Sequence, residues 1–346
     1  MKLCIFSLIS LFLLVACSED SVNTPKKETI EFYIPNNFPT PEYDLSSNPI
    51  SYDGFVLGRE LFYDPILSAD NTISCGTCHQ QPSGFTQHGH DLSHGINDLL
   101  TLRNSQPIQN LAWQKEFAWD GGIFHLDLFP ILPITAENEM GETMNNVVSK
   151  LNSSPKYKSL FRNAFEDSLI TGNSLLKALS QFQLMCISSN SKYDKVMQGV
   201  PGVQFTSEEI AGKLIFDNKC ASCHSGVFFT DQTYRNNGLP IGNPDDLGRA
   251  MISLNQNDNY KFKVPSLRNI EVTRPYMHDG RFRNLKMVLD HYSSGVVDSP
   301  TLDPKLKNAG KLGIELTEVE KELIIAFLLT LTDEEFLRNP KLSEFR

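Results

Sequence analysis

Two five-residue stretches constrain this chain more than anything else in it: Cys75-Gly76-Thr77-Cys78-His79 and Cys220-Ala221-Ser222-Cys223-His224. Each sets two thiols three positions apart with an imidazole directly after the second. That spacing lets two sulfurs reach the two vinyl groups of one porphyrin while the histidine sits under its iron, the attachment signature of c-type haem. One copy alone would also suit a redox dithiol or half of a zinc site. Two copies in a chain with an export signal argue against both, and predict two covalently bound haem c groups with His79 and His224 as proximal ligands.

The export signal is residues 1–16: Lys2 followed by an apolar run, Leu3 to Ala16, too short to span a bilayer. Its end, Leu14-Val15-Ala16-Cys17, resembles a bacterial lipobox, which makes Cys17 the lipidated first residue of the mature chain. The expected location is the periplasmic side of the cell envelope, anchored to a membrane through Cys17. Residues 17–47, rich in Ser, Thr, Asn, Pro and charge without periodicity, read as a polar tether, so folding is expected to start near Asn48. Of the seven cysteines, Cys4 leaves with the signal, Cys17 takes the lipid and four form thioethers. Cys186 remains, in a helix-like run from Ser174 to Ser188, and is expected to be a buried free thiol.

A chain of 346 residues, 40% hydrophobic and 21% charged, has globular composition and room for two domains. Its formal charge of −10 excludes a nucleic-acid partner and fits a basic protein partner instead.

The two haem motifs sit inside a longer self-similarity. Gly58-Arg59-Glu60-Leu61-Phe62 precedes the first and Gly212-Lys213-Leu214-Ile215-Phe216 the second. Gly84-Phe85-Thr86 then corresponds to Phe229-Thr230, Leu102-Arg103-Asn104 to Leu267-Arg268-Asn269, and Trp119-Asp120-Gly121 to His278-Asp279-Gly280. Preserved order marks a duplicated unit. Apolar residues spaced by three and four predict helices over 146–151, 174–188, 207–216, 285–292 and 318–331, with few strands. The expected fold is mainly α: two cytochrome c-like haem domains related by internal duplication, with long haem-wrapping loops, at 48–200 and 201–346.

Over about Asp53 to Leu331 the chain resembles the bacterial dihaem cytochrome c peroxidase family, which includes MauG-like enzymes. The resemblance rests on Leu57 to His79, Phe117 to Gly121 (FAWDG), Pro133 to Gly141 (PITAENEMG), Cys220 to His224, and Val264 to Gly280 (VPSLRNIEVTRPYMHDG). It implies an N-terminal haem that meets hydrogen peroxide and a C-terminal haem that accepts electrons. It implies roles for three further residues. Glu139 is the carboxylate that moves protons during O–O cleavage. His94, with His88 and His90 nearby, is the removable distal ligand that blocks the first iron until activation. Trp119 is the indole between the haems. Asn104, Thr273 and Pro275 resemble the ligands of an interdomain calcium. Family members are often dimers. One departure is Phe129, where the family often has a glutamine ten residues before the glutamate.

A second departure concerns the sixth ligand of the second iron. The peroxidases carry a methionine fourteen residues after the histidine of Tyr-x-His-Asp-Gly, and here that position is Tyr292. Tyrosine there resembles the MauG-like members, while His291, Met277 and Met287 are neighbouring alternatives. Two functions follow from the resemblance. The first is reduction of hydrogen peroxide to water with electrons from a small periplasmic cytochrome c or copper protein. The alternative is a MauG-like oxidase acting on residues of a partner protein through high-valent iron. A non-catalytic electron carrier is a third class, against which Glu139 and the release of His94 both argue.

Overall fold

The computed structural model describes residues 29–165, 169–242, 244–308 and 310–344. Helices dominate. They include α1 (Tyr52–Tyr63), α2 (Met144–Ser153), α3 (Pro155–Phe165), α4 (Gly172–Leu184), α5 (Lys192–Met197), α6 (Ser207–Lys219), α7 (Leu285–Asp290), α8 (Glu318–Leu329) and α9 (Glu334–Arg338), with single short turns at Cys75–Cys78, Ile131–Thr135 and Ala250–Ser253. Their starts are written locally. Thr206 with Glu209 and Thr317 with Glu320 form reciprocal capping boxes at α6 and α8, and Ser51 caps α1 through the Gly54 N–H. Strand is confined to short antiparallel ribbons, β1 (Tyr234–Arg235) with β2 (Phe262–Lys263) and β3 (Lys307–Asn308) with β4 (Lys311–Leu312). Among the described residues no helix is long and apolar enough to cross a membrane.

The duplication is visible as packing. α1 crosses α4 in the first half as α6 crosses α8 in the second. Both crossings need glycine. A Cβ on Gly58 would lie 2.0 Å from the Ala178 carbonyl oxygen, and one on Gly212 would lie 1.9 Å from that of Leu323. Close approach lets a buried aromatic triad form under each crossing. Phe62 meets Phe85 at 6.0 Å and Phe182 at 4.9 Å between ring centroids, and Phe216 meets Phe229 at 5.9 Å and Phe327 at 5.2 Å. The loops repeat as well, with antiparallel bridges at Phe117–Ile123 and Tyr276–Phe282.

Three expectations change. The stretch expected as the end of a tether is packed from about residue 30: Phe38 abuts Trp113 and Phe228 edge-on, and the buried Tyr43 hydroxyl donates to Asp127 at 2.8 Å. Isolated aromatics supply the buried area there without any periodicity to betray them. The 201–346 unit does not keep its own end, because Phe336, Leu337 and Leu342 join the first core. Gln81 donates to the carbonyls of Phe336 and Asn339, and Tyr63 to that of Leu342. Conversely, Tyr193 on α5 packs in the second core, ahead of the exposed connection at 197–202. The lipobox, Cys4 and Cys17 lie outside the described residues.

Candidate functional site

Each Cys-x-x-Cys-His ends on a histidine held in the same way. His79 Nδ1 lies 2.7 Å from the Phe85 carbonyl oxygen, and His224 Nδ1 lies 3.1 Å from that of Phe229. Both phenylalanines take positive φ, 60° and 53°, which turns the carbonyl back toward the ring. With Nδ1–H committed to a carbonyl, Nε2 carries the free lone pair, the arrangement that presents an imidazole to a metal. Burial pushes both imidazoles down, favouring the neutral form. The thiols of Cys75 and Cys220 are pushed up to about 12, chiefly by burial. The two half-buried free cysteine pairs and the two oriented imidazoles fit two haem c groups.

A cavity of about 800 Å³ opens beside the first motif, walled by Cys75, Cys78, His79 and apolar side chains including Phe62, Ile108, Leu111 and Phe117. Its far wall comes from the second half, with Val264, Pro265 and His278. Glu139 lines this cavity, and burial raises its carboxyl above the usual range. The loop carrying Gly95 lies directly on the Glu139 backbone, Ile96 N–H donating to the Glu139 carbonyl at 2.8 Å. A Cβ on Gly95 would fall 2.5 Å from that same oxygen. Phe129 also lines the cavity, its ring 6.0 Å from that of Phe117, so the departure from glutamine puts an apolar surface there.

The structure does not bring His94 to this cavity. Ser93 and Gly95 line it, but the His94 ring turns outward, with Nδ1 2.5 Å from Asp98 Oδ1 and His90 edge-on at 4.9 Å. The short side chain of Asp98, four residues on, captures the imidazole at the surface.

Trp119 is buried at the seam of the halves. Its indole N–H donates to the Asn104 carbonyl at 2.8 Å, and Asn104 N–H donates to the His278 carbonyl at 2.7 Å. The Trp119 carbonyl accepts from Lys263 N–H at 2.7 Å. Asn104 also donates from its side chain to the Asp91 carbonyl, while Thr273 packs by its methyl near Gly84. None of the hydrogen bonds among the described residues joins Asn104 to Thr273 or Pro275.

In the second half, α7 gives way after Asp290 to a π-helical turn, His291–Gly295, in place of the α-helix expected through residue 292. The turn sets the partly buried Tyr292 near Cys220 and Cys223, and its hydroxyl is raised chiefly by burial while a hydrogen bond from Asn237 pulls the other way. The alternatives are placed elsewhere. His291 Nε2 is tied to the Asn237 carbonyl at 3.0 Å, Met277 Sδ accepts from the Asn237 amide at 3.4 Å, and Met287 is 40% exposed.

Two residues at the cavity take places that the sequence did not assign, Arg103 within a repeated motif and Lys263 outside any. Arg103 bridges Asp120 and Asp246 across the halves, and Lys263 is buried with its ammonium on Gln114 Oε1 at 2.9 Å and the Glu116 carbonyl at 2.7 Å. Burial pushes Lys263 down to about 8. Nothing local to Phe262-Lys263-Val264 announces a buried amine; only the tertiary pairing does.

The di-haem cytochrome c peroxidase family model matches residues 53–201. The methylamine utilization protein MauG of Methylorubrum extorquens is 36% identical over 88% of this chain and 84% of its own length. Its namesake from Methylophilus methylotrophus is 33% identical over 92% of both. The cytochrome c551 peroxidase of Nitrosomonas europaea is 31% identical over 83% of this chain and 82% of its own. Among solved structures, a MauG-like protein associated with microbial copper homeostasis superposes with a TM-score of 0.82 at 32% identity, over 91% of this chain and 99% of that one. With relatives of this identity spanning both halves, and both halves carrying the same oriented histidine, the chain belongs to the di-haem cytochrome c peroxidase and MauG family.

Proposed function

We propose that this chain reduces hydrogen peroxide to water, taking the two electrons singly from a small cytochrome c or copper protein. The observation that carries the reading is Glu139, a carboxyl of raised affinity for protons on the wall of the cavity that also holds Cys75, Cys78 and His79. Cys75 and Cys78 would hold the first haem covalently over His79, and Cys220 and Cys223 the second over His224. Bound haem supplies the redox-active iron. Glu139 takes a proton from one peroxide oxygen and returns it to the other, so that a water molecule can leave. Phe129 and Phe117 keep that end of the cavity apolar, and Trp119 bridges the two halves. The overall change consumes one peroxide, two electrons and two protons and forms two waters. An acidic surface supports a basic electron donor.

A second reading, a MauG-like oxidase that draws its electrons from residues of a partner protein, has Tyr292 in its favour, partly buried beside Cys220 and Cys223 where the peroxidases carry methionine. One experiment separates the two. Haem-loaded protein, either oxidised or pre-reduced with ascorbate, is mixed with peroxide and a reduced small cytochrome c. Fast oxidation of the donor is expected. With His94 turned outward, it should not depend on pre-reduction. A haem spectrum that responds to peroxide without oxidation of the donor would instead favour the protein-oxidising reading. Attachment at the periplasmic side of the envelope through a lipid on Cys17, calcium at Asn104, Thr273 and Pro275, and a homodimer complete the proposal.

A further inference from the structure

Beside Trp119, the chain carries a tyrosine equipped to lose an electron. β1 pairs Tyr234 with Lys263 on β2, and Lys263 N–H in turn donates to the Trp119 carbonyl, so one strand separates Tyr234 from Trp119. The phenol reaches back across that strand. A Cβ on Gly121, two residues beyond Trp119, would lie 1.7 Å from Tyr234 Oη. The hydroxyl donates to Glu116 Oε2, and the Arg249 guanidinium lies 4.3 Å over the phenol ring and 3.4 Å from the same carboxylate. On the outer side, a smaller cavity of about 320 Å³ is lined by Lys115, Glu116, Gln232, Thr233, Tyr234 and Lys263. Gln232 and Lys263 also line the large cavity, so they form the wall between the two.

We propose that Tyr234 is an electron relay between Trp119 and this outer cavity, with Glu116 as its proton acceptor. The inference rests on the peroxide chemistry proposed above, which supplies the oxidant. In the step, Tyr234 gives one electron to the oxidised Trp119 and its hydroxyl proton to Glu116. The indole is restored, and a neutral tyrosyl radical faces a protonated carboxyl. A small enediol reductant such as ascorbate in the outer cavity returns the electron and is itself oxidised by one electron to its radical, and Glu116 returns the proton.

The charges around the pair dictate this order. Lys263, buried on the strand between the two rings with its ammonium on the Glu116 carbonyl, disfavours net positive charge on either side of it. Arg249 over the ring makes a cationic tyrosine equally costly, so the proton has to leave with the electron, and Glu116 is already bonded to it. Tyr43 and Tyr157 also donate to carboxylates, Asp127 and Asp64, but neither lines either cavity, and Tyr260, which donates to Asp245 at 3.3 Å, lines the large cavity but not the outer one.

The test is rapid-freeze electron paramagnetic resonance of the haem-loaded protein after peroxide, with peroxide consumption followed in parallel. A tyrosyl signal is expected in the parent protein and in a Tyr157→Phe control, and loss of it in Tyr234→Phe. Glu116→Gln should delay the signal and abolish its dependence on deuterated solvent. An unchanged signal in Tyr234→Phe, or none in the parent protein despite peroxide consumption, overturns the relay. If peroxide is not consumed, the failure lies with the proposed function. The relay is then decided by a flash-generated ruthenium(III) oxidant, under which an indole radical should pass to a tyrosyl radical in the parent protein and persist in Tyr234→Phe. The haem absorption spectrum of each variant reports whether it has folded.

Discussion

Glu139 and Lys263 are ionisable groups on the wall of one cavity, and burial moves them in opposite directions, the carboxyl up and the amine down to about 8. For Glu139 the consequence is kinetic. Glu139→Gln keeps the shape and removes the proton carrier, and peroxide reduction by the haem-loaded variant should fall by about 10²–10⁴-fold in stopped-flow measurements. In the parent protein the rate should fall on the acid side, as pH drops through the raised value and the carboxylate is lost as a base. For Lys263 the consequence is thermodynamic. Its folded value lies below the unfolded 10.5, so between about 8 and 10.5 the unfolded chain binds more protons and stability rises with pH. Urea unfolding of Lys263→Gln across that window should lack this rise. The two residues also differ in legibility. Glu139 stands in a run of motif residues, whereas Lys263 becomes special only when β2 is laid between Trp119 and Tyr234.

The glycine-dependent crossings are the clearest case of an element written in the sequence. Gly58 and Gly212 begin matching segments, and in both the missing Cβ faces a backbone carbonyl, which cannot move aside as a flexible side chain would. Gly58→Ala and Gly212→Ala should each destabilise by about 1–3 kcal/mol through overpacking, read as a lowered melting temperature of the haem-loaded protein. Helix ends were less legible because distant groups set them. The run expected to 188 stops at Leu184, since the Ser188 N–H donates to Asn110 Oδ1 and the Ser189 N–H to Asp333 Oδ2. Those partners lie far away in sequence, so no local pattern could reveal the stop. The same holds for the π turn around Tyr292, closed from outside by Ile314 N–H on the Tyr292 carbonyl at 2.7 Å.

At the scale of the molecule the halves are joined by polar groups as much as by apolar ones. Asn269 reaches Gln109 and Ser188 of the first half, and beside it Asp194 and Arg268 tie α5 to the second half as a fully buried bidentate pair, both bonds at 2.8 Å. Arg268→Leu would leave the carboxylate buried and uncompensated, at a cost of about 3–5 kcal/mol measurable by calorimetry. The duplication made two units legible, but not their exchange of ends: Phe38 and Tyr43 are too sparse to form a pattern, and Phe336, Leu337 and Leu342 sit beyond the repeat.

That exchange imposes an order in time. Leu342 leaves the ribosome 263 residues after His79, which at roughly 5–20 residues per second is a delay of roughly a quarter of a minute to a minute. Until then the first core lacks Phe336, Leu337 and Leu342, and the Tyr63 hydroxyl and Gln81 amide lack their backbone acceptors. The earlier-made half therefore cannot finish until the later-made half has been synthesised.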